Sequence, residues 1–501
     1  MQIRLLFIIL LLGIFSTSDV MAQQEDSIIY HPITCERVHL QRLDDEDTLV
    51  AVRPNALKGL MEDELLNVSI LSYDAFVQNR DWAHLTWRTL ETNFTHKPVW
   101  DTDSYSGNQF SHPYHGSLFY NTAREHGLSY GVSLLYPVLG SASWEYMCET
   151  NLPAINDLLS TGIGGAAIGE VGYRTSDIFF DDSRTGLSRV MREIIGTVLN
   201  PVRGVHRLFS GEMWRVSRSR GKKVEPEPYS FTIGTGVRSM GASLNEHAQM
   251  DVPYFEFDLK YGERFRAADK TSRPWEYFSV HLLANMKSDN PSVGELEILG
   301  RIANREIDLP HDWKFDVGMY QALKYLDHYG KYEQNTRDFA IISEAVSFGG
   351  GFYAEKMHRR YFLGNELILS GVVLGGYNSD YPAYRRYNFG TGFSVRDNFQ
   401  FALNRHFLLG DKLYFANLWT PTNITPETVA QRQADNEPVD CMGDAGHTAM
   451  LYNTAYLHVN VAHNLRFGVG HTLYFRRSIY KYQPNVTARS HEYKIGLIYS
   501  L

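Results

Sequence analysis

Only 3 cysteines, Cys35, Cys148 and Cys441, occur in 501 residues. In an exported chain that is too few for a disulfide framework, and without CxxC spacing they carry no zinc or redox motif, so they read as buried or incidental thiols. Long apolar runs are equally scarce. Mean hydropathy is -0.30, and repeated spans of about 20 apolar residues, which a helical membrane protein needs, are missing. Charge of one sign is lacking too: 48 Lys and Arg stand against 57 Asp and Glu, a net -9 that offers nucleic acid no basic surface. No GxSxG, P-loop or dinucleotide fingerprint is visible. Neither a cofactor nor a resident metal is expected.

What the chain has in excess is aromatics, with 31 Tyr, 27 Phe and 8 Trp. The amino terminus reads as a secretory signal peptide over residues 1–22. Arg4 is its basic part, Leu5 to Phe15 its apolar part, and Val20 and Ala22 are small enough for a cleavage site before Gln23. Residues 23–53, with the acidic run Asp44, Asp45, Glu46 and Asp47, read as a flexible periplasmic lead.

From Tyr229 to Leu501 the pattern has period two, placing alternate side chains on opposite strand faces. Phe255, Phe257, Leu259 and Tyr261 form an apolar face, while Tyr254, Glu256, Asp258 and Lys260 form a polar one. Such segments recur roughly twelve times, separated by Gly, Asn, Asp or Pro, as an antiparallel transmembrane barrel requires. Aromatics near segment ends, among them Trp275, Tyr277, Trp313, Tyr361, Phe362, Tyr377, Trp419, Tyr480 and Tyr482, suggest girdles at the two membrane interfaces. The chain ends on alternating Tyr493, Ile495, Leu497, Tyr499 and Leu501. This resembles the carboxy-terminal strand of Gram-negative outer-membrane barrels, with Leu where Phe or Trp is usual. The fold class is therefore a membrane all-β barrel of about 12 antiparallel strands preceded by an α-helical domain. Residues 420–448 read as a long, solvated external loop.

Residues 54–211 show helical rather than strand spacing. Leu57, Leu60, Met61, Leu65, Val68 and Leu71 trace one face of a helix, with Glu64 and Ser72 as polar exceptions on it. Gly162, Gly164, Gly165, Ala166, Ala167 and Gly169 are small residues that allow close helix crossings. Residues 212–228, with Arg215, Arg218, Arg220, Lys222 and Lys223, read as a basic linker, either touching anionic head groups or simply solvated.

The string Val99-Trp100-Asp101, His112-Pro113-Tyr114-His115-Gly116, Ala123-Arg124, Trp144-Glu145, Pro153-Ala154-Ile155-Asn156-Asp157, Gly164-Gly165, Gly169-Glu170 and Asn200-Pro201 resembles a bacterial family of domains of unknown function. The resemblance covers about Pro54 to Gly211. It implies a helical segment preceding an outer-membrane barrel, and no activity.

His112, His115, Arg124, Glu145, Glu149, Asp157 and Glu170 concentrate polar groups in this small and apolar segment. Glu145 and Glu149 are four apart and share a helix face, where the two His could reach them. Two His and two carboxylates can form a metal site or an acid–base pair. The plainer expectation is that Arg124 and the histidines neutralise Glu145, Glu149 and Glu170 so that the helices pack. Two functions follow. The first is a channel, transport or envelope-structural protein whose helices plug the barrel or lie in the periplasm; the second is a lipid or lipopolysaccharide hydrolase using the His and Glu cluster. A continuous water path beside the helices would favour the first, and a closed lumen with the His and Glu opening sideways toward lipid the second. Outer-membrane lipid, lipopolysaccharide and the barrel-insertion machinery are the expected partners, nucleic acid is not, and a small-molecule or lipid ligand fits either reading.

Overall fold

A computed structural model describes residues 27–31, 34, 36–40, 49–241, 250–265, 273–286, 293–328, 340–381, 385–422, 424–437 and 439–501. The signal peptide, Cys35 and the acidic run 44–47 lie outside the described residues. The chain forms two compact units, one made of residues 27–40 with Glu227–Leu501 and the other of residues 49–226.

The first unit is a closed barrel. A short hairpin, β1 (Ser27–Tyr30) and β2 (Arg37–Leu40), precedes twelve strands: β3 (Tyr229–Gly241), β4 (Met250–Tyr261), β5 (Phe278–Asn285), β6 (Val293–Asp308), β7 (Trp313–Asp327), β8 (Ile341–Met357), β9 (Tyr361–Asn378), β10 (Tyr387–Leu403), β11 (Phe407–Thr420), β12 (Gly446–Ala462), β13 (Leu465–Tyr480) and β14 (Val486–Ser500). Each strand from β3 to β14 pairs antiparallel with its neighbour in sequence, and β14 returns to β3, with Ile495 opposite Val237. Closure leaves the cylinder without an edge strand, so the backbone of every strand is paired. Connections 309–312, 358–360, 404–406 and 463–464 are tight at one end, whereas the longest, 421–445, is at the other.

Alternation decides what faces where. Tyr254, Glu256, Asp258 and Lys260 line the lumen, while Val237, Leu369, Phe407, Leu409, Ile495 and Leu497 are exposed on the outside. A cluster including Leu326, Ile342, Val372, Leu418 and Met450 fills the lumen toward the long-loop end.

Three expectations change here. Of the strand-end aromatics, Trp275, Tyr277, Phe362, Tyr377 and Tyr480 are buried rather than girdling the barrel. For two of them a polar atom explains why: Tyr377 meets Thr420 Oγ1 at 2.6 Å and Tyr480 donates to Asp380 at 2.7 Å, so a ring can fill the mouth while its hydroxyl stays bonded. Within 23–53, expected to be a flexible lead, the hairpin is built into the barrel. Its Glu36 accepts from Lys260 (2.9 Å) and Ser230 (3.0 Å), and His39 Nε2 lies 2.8 Å from the Leu501 carbonyl. The long loop is likewise packed: it carries helix Pro426–Ala434, buries Val439 and Cys441, and is tied by Met442 O to Phe389 N–H at 2.8 Å.

The second unit is helical: α1 (Ala56–Phe76), α2 (Trp87–Thr95), α3 (His112–Glu125), α4 (Leu135–Met147), α5 (Gly165–Phe179), α6 (Gly186–Leu199) and α7 (Pro201–Ser210), with short turns between them. Asn55 caps α1 and Asn200 caps α7, each accepting from a first-turn N–H. α3 crosses α5 where the two backbones nearly touch. A Cβ on Gly116 would stand 1.9 Å from Thr161 O, and one on Gly165 would stand 2.4 Å from Gly116 C, so only glycine fits either place.

The unit's interior is polar and much of its surface is not. α1 buries Gly59, Asp63, Asn67 and Ala75, and exposes Leu57, Met61, Leu65 and Val68. Much of the apolar stripe traced by the sequence thus lies on the exposed side of the helix. Trp87, Leu187, Phe209 and Trp214 are also exposed, while Glu170, Arg203 and Arg207 are fully buried. Nor is 212–228 a solvated linker throughout. Arg220 and Lys222 are buried, and Lys222 Nζ donates to Asp177 O and to Phe180 O. Among the described residues no helix is long and apolar enough to cross a membrane.

Candidate functional site

Two π-helical turns frame a cluster of polar side chains in the helical unit. Gly107–Ser111 runs directly into α3, so that His112 is the first residue after it; Ser160–Gly164 follows the short helix Ile155–Leu159 that carries Asp157. A π turn adds a residue to the helix and re-aims the side chains around it. Here both turns point side chains at one place. His112 Nε2 lies 3.3 Å from Asp157 Oδ1 and 3.7 Å from Asp103 Oδ2, while its Nδ1 is 3.4 Å from Thr161 Oγ1. The Asn156 amide donates to Asp157 (2.7 Å) and to Asp101 (2.9 Å), and Asn108 donates to the same Asp101 oxygen at 2.9 Å.

From α4, Glu145 accepts the Ala154 N–H at 2.8 Å and shares a hydrogen bond with Glu149. Burial holds both carboxyls above their ordinary range; the charge of Glu145 raises Glu149 further, whereas the Ala154 N–H, His112 and the hydrogen bond with Glu149 limit the rise of Glu145 to about 7. Asp157 is also pushed up, by burial and by Asp101, Glu145, Glu149 and Asp103. Four neighbouring carboxyl groups outweigh its contact with one imidazole. Asp103, nearer the surface, is held down by its hydrogen bond to His112.

Of the residues singled out in the sequence, His112, Glu145, Glu149 and Asp157 come together. Arg124 and Glu170 do not join them. Glu170 is bound by Arg124 Nε (3.0 Å), Arg174 Nε (2.8 Å) and the Tyr120 hydroxyl (2.6 Å), and Arg124 lies over the Tyr173 ring. Burial alone would raise the Glu170 carboxyl; the two guanidiniums reverse this and hold it low. His115 packs against Phe119 at 4.6 Å and edge-on to Trp144 at 5.1 Å, where burial drives its pKa down to about 3. The expected neutralisation of Glu145 and Glu149 by Arg124 and the histidines is therefore corrected. Arg124 serves Glu170 alone, and His112 meets Asp157 and Asp103. Sequence reasoning missed Asp103, Asn108 and Thr161. Asp101 and Asn156 stood in the quoted motif and could have been read as the carboxylate and the amide that orients it.

The barrel lumen is the second concentration of charge. A cavity of about 280 Å³ is lined by, among others, Glu256, His281, Lys412, Tyr456 and Lys494. Beside it, pairs reach from wall to wall. Arg396 on β10 binds Glu297 on β6 (2.7 Å) and Glu344 on β8 (2.8 Å); Tyr452 on β12 donates to Glu295 on β6 (3.3 Å); Tyr414 on β11 donates to Glu344 (2.6 Å). Lys324 lies 2.8 Å from Glu295, and Arg238 is bonded to His328 at 3.1 Å. These bonds bridge strands on different sides of the lumen.

Residues 97–202 match a family described as Domain of unknown function (DUF3943). The match covers the whole cluster around His112. No curated protein matches the chain. Solved structures similar to the chain include a NanC porin (11% identity, 54% of this chain, 100% of that one, TM-score 0.26). Others are the OmpT outer-membrane protein of Vibrio cholerae with loop L8 deleted (9%, 55% and 98%, TM-score 0.22) and the Pseudomonas putida toluene transporter TodX (9%, 56% and 90%, TM-score 0.22). At these TM-scores the likeness carries no argument; the barrel rests on its own strand pairing.

Proposed function

We propose that this is an outer-membrane protein whose barrel is the anchor and whose helical unit hydrolyses a membrane lipid or lipopolysaccharide by general acid–base chemistry. The observation that carries the reading is the His112–Asp157 contact set beside the hydrogen-bonded Glu145–Glu149 pair. A buried carboxyl held protonated near neutral pH can donate to a leaving oxygen, while an imidazole oriented on one nitrogen can take a proton from water on the other. Asp157 holds His112 on Nε2, and the nitrogen that would take the proton is Nδ1, whose long 3.4 Å contact with the Thr161 hydroxyl the water must share or displace. The site is reachable, since the His112 side chain is 19% and that of Asp103 63% exposed. The lipid substrate class is supported by the helical unit's apolar exterior, and the anchor by the barrel's exposed Leu, Ile, Val and Phe side chains. Outer-membrane lipid is thus both surroundings and substrate, and the barrel-insertion machinery is the partner that delivers the chain.

Full-length protein in nanodiscs, incubated with phospholipid and lipopolysaccharide and read by mass spectrometry, tests this. Lipid cleavage should disappear in His112→Ala and Glu149→Gln, with heat-modifiable gel mobility unchanged. Retained activity in both variants would overturn it.

A channel is the second reading, favoured by the charged lumen cavity. It requires the cross-lumen bonds to open. Planar-bilayer recording should show negligible conductance in the native chain and a rise in Arg396→Ala. An open wild-type pore would put transport first.

A further inference from the structure

A second histidine cluster lies apart from the one around His112. Glu62 on α1, His126 just after α3 and His206 on α7 are separated by 64 and 80 residues in sequence, yet their side chains converge. His126 Nε2 is 2.8 Å from Glu62 Oε2, and His206 Nε2 is 2.5 Å from Glu62 Oε1. The two imidazoles lie 5.4 Å apart between ring centroids. One donor atom from each residue lies within 4.8 Å of the other two.

A single His–Glu pair would satisfy the carboxylate. Here two imidazoles from different helices turn the same nitrogen toward its two oxygens. The nearby Glu125 does not compete for them, because it is held by Lys223 Nζ at 2.5 Å and Asn200 Nδ2 at 3.2 Å. Two imidazole nitrogens and one carboxylate form a donor set that zinc takes, and donors of a tetrahedral site with bonds of ~2.0–2.1 Å sit ~3.4 Å apart. Widening the present contacts by less than ~1 Å reaches that spacing, within the freedom of a Glu side chain. All three side chains are partly exposed, from 21% to 27%, which leaves a face for a solvent ligand.

We propose that Glu62, His126 and His206 bind one divalent transition-metal ion of the zinc type, with water as the fourth ligand, tying the first and last helices of the unit together. Binding requires both imidazoles neutral on the coordinating nitrogen, so the protons that now bridge the cluster leave to solvent as the metal enters. This site is independent of the proposed hydrolysis, and neither stands or falls with the other.

The test uses the full chain in detergent, stripped with chelator and titrated with zinc and, separately, cobalt. One equivalent of zinc should bind, and cobalt should give the visible absorption bands of a four-coordinate site. His126→Ala, His206→Ala and Glu62→Gln should each weaken zinc by at least ~10-fold, while His112→Ala leaves it unchanged. Absence of the cobalt bands in the stripped native protein would overturn the proposal without reference to any variant. So would zinc binding that survives His126→Ala with His206→Ala, or that is lost in His112→Ala.

Discussion

The lumen of the barrel and the core of the helical unit are both charged interiors under apolar exteriors, yet they handle acid differently. In the lumen Glu297 and Glu344 meet Arg396, Glu295 meets Lys324, and Glu256 meets Lys494. Part of the helical unit follows the same rule: Glu170 meets Arg124 and Arg174, Glu193 meets Arg207, and Asp177 meets Arg203. The cluster around His112 breaks it. The charges acting most strongly on Glu149 and Asp157 are other carboxyls. Buried acids with cations are explained by packing; like charges gathered out of water are costly and need another reason.

The largest effect should come from the crossing that makes the cluster possible. In Gly116→Leu a side chain meets backbone at 1.9 Å, where no rotamer helps. The helical unit should lose more than ~4 kcal/mol and fail to fold. Limited proteolysis should then degrade residues 49–226 while the barrel keeps its heat-modifiable mobility. A protease-resistant helical unit would show that α3 and α5 do not cross there.

Next in size is the removal of a paired cation. Arg124→Ala leaves the buried Glu170 with Arg174 as its one guanidinium partner and should cost ~2–3 kcal/mol, less than orphaning a buried charge outright. Chemical denaturation followed by far-UV circular dichroism measures it. In the cluster the opposite holds. Glu149→Gln replaces a carboxyl that must be held protonated among other acids by a group that is always neutral, so it should be neutral or stabilising near neutral pH. If both changes cost the same, the distinction between paired and unpaired acid fails.

The two kinds of acid also respond to pH with opposite sign. The folded-state pKa of Glu149 is raised above 4.5, so its contribution is fully present below 4.5 and is lost as pH rises through the folded value. For Glu170 it is lowered from 4.5, so its contribution is present above 4.5 and is lost as pH falls through the folded value. The stability difference between Glu149→Gln and the native chain should therefore grow in favour of the variant from about pH 5 to about pH 8. A flat difference would mean that Glu149 is not held protonated.

How much of this the sequence discloses depends on the solvent each residue meets. In β4, Glu256, Asp258 and Lys260 alternate with Phe255, Phe257 and Leu259, and the period of two makes both faces readable. Barrel closure and the roughly twelve strands follow from repeating that reading. In α1 the spacing discloses the helix but not its surroundings, because Leu57, Met61 and Leu65 form a face that the fold leaves exposed. The hairpin at Ser27–Leu40 goes unnoticed since two four-residue strands in a polar stretch gain their pairing only from the barrel and from each other. In the cluster, His112, Glu145, Glu149 and Asp157 are visible as residue types in a short segment. That Arg124 turns to Glu170, 46 residues away, is decided by the helix crossing and not by spacing.

The smallest expected change in stability tests how His112 is aimed. Thr161 sits in the second π turn with its hydroxyl 3.4 Å from His112 Nδ1, a long contact to a partly buried ring. Thr161→Val keeps the shape and deletes the hydroxyl, so stability should fall by ~1 kcal/mol or less. Activity should respond more. Without that partner the imidazole can turn its other nitrogen toward Asp157, and an orienting group of this kind is worth ~10-fold or more when lost. A conservative variant separates aim from packing. If Thr161 only fills space, Thr161→Val keeps the native rate and Thr161→Ser, which loses the methyl, is the slower of the two; if its hydroxyl fixes which nitrogen faces Asp157, Thr161→Val is slow and Thr161→Ser recovers the rate.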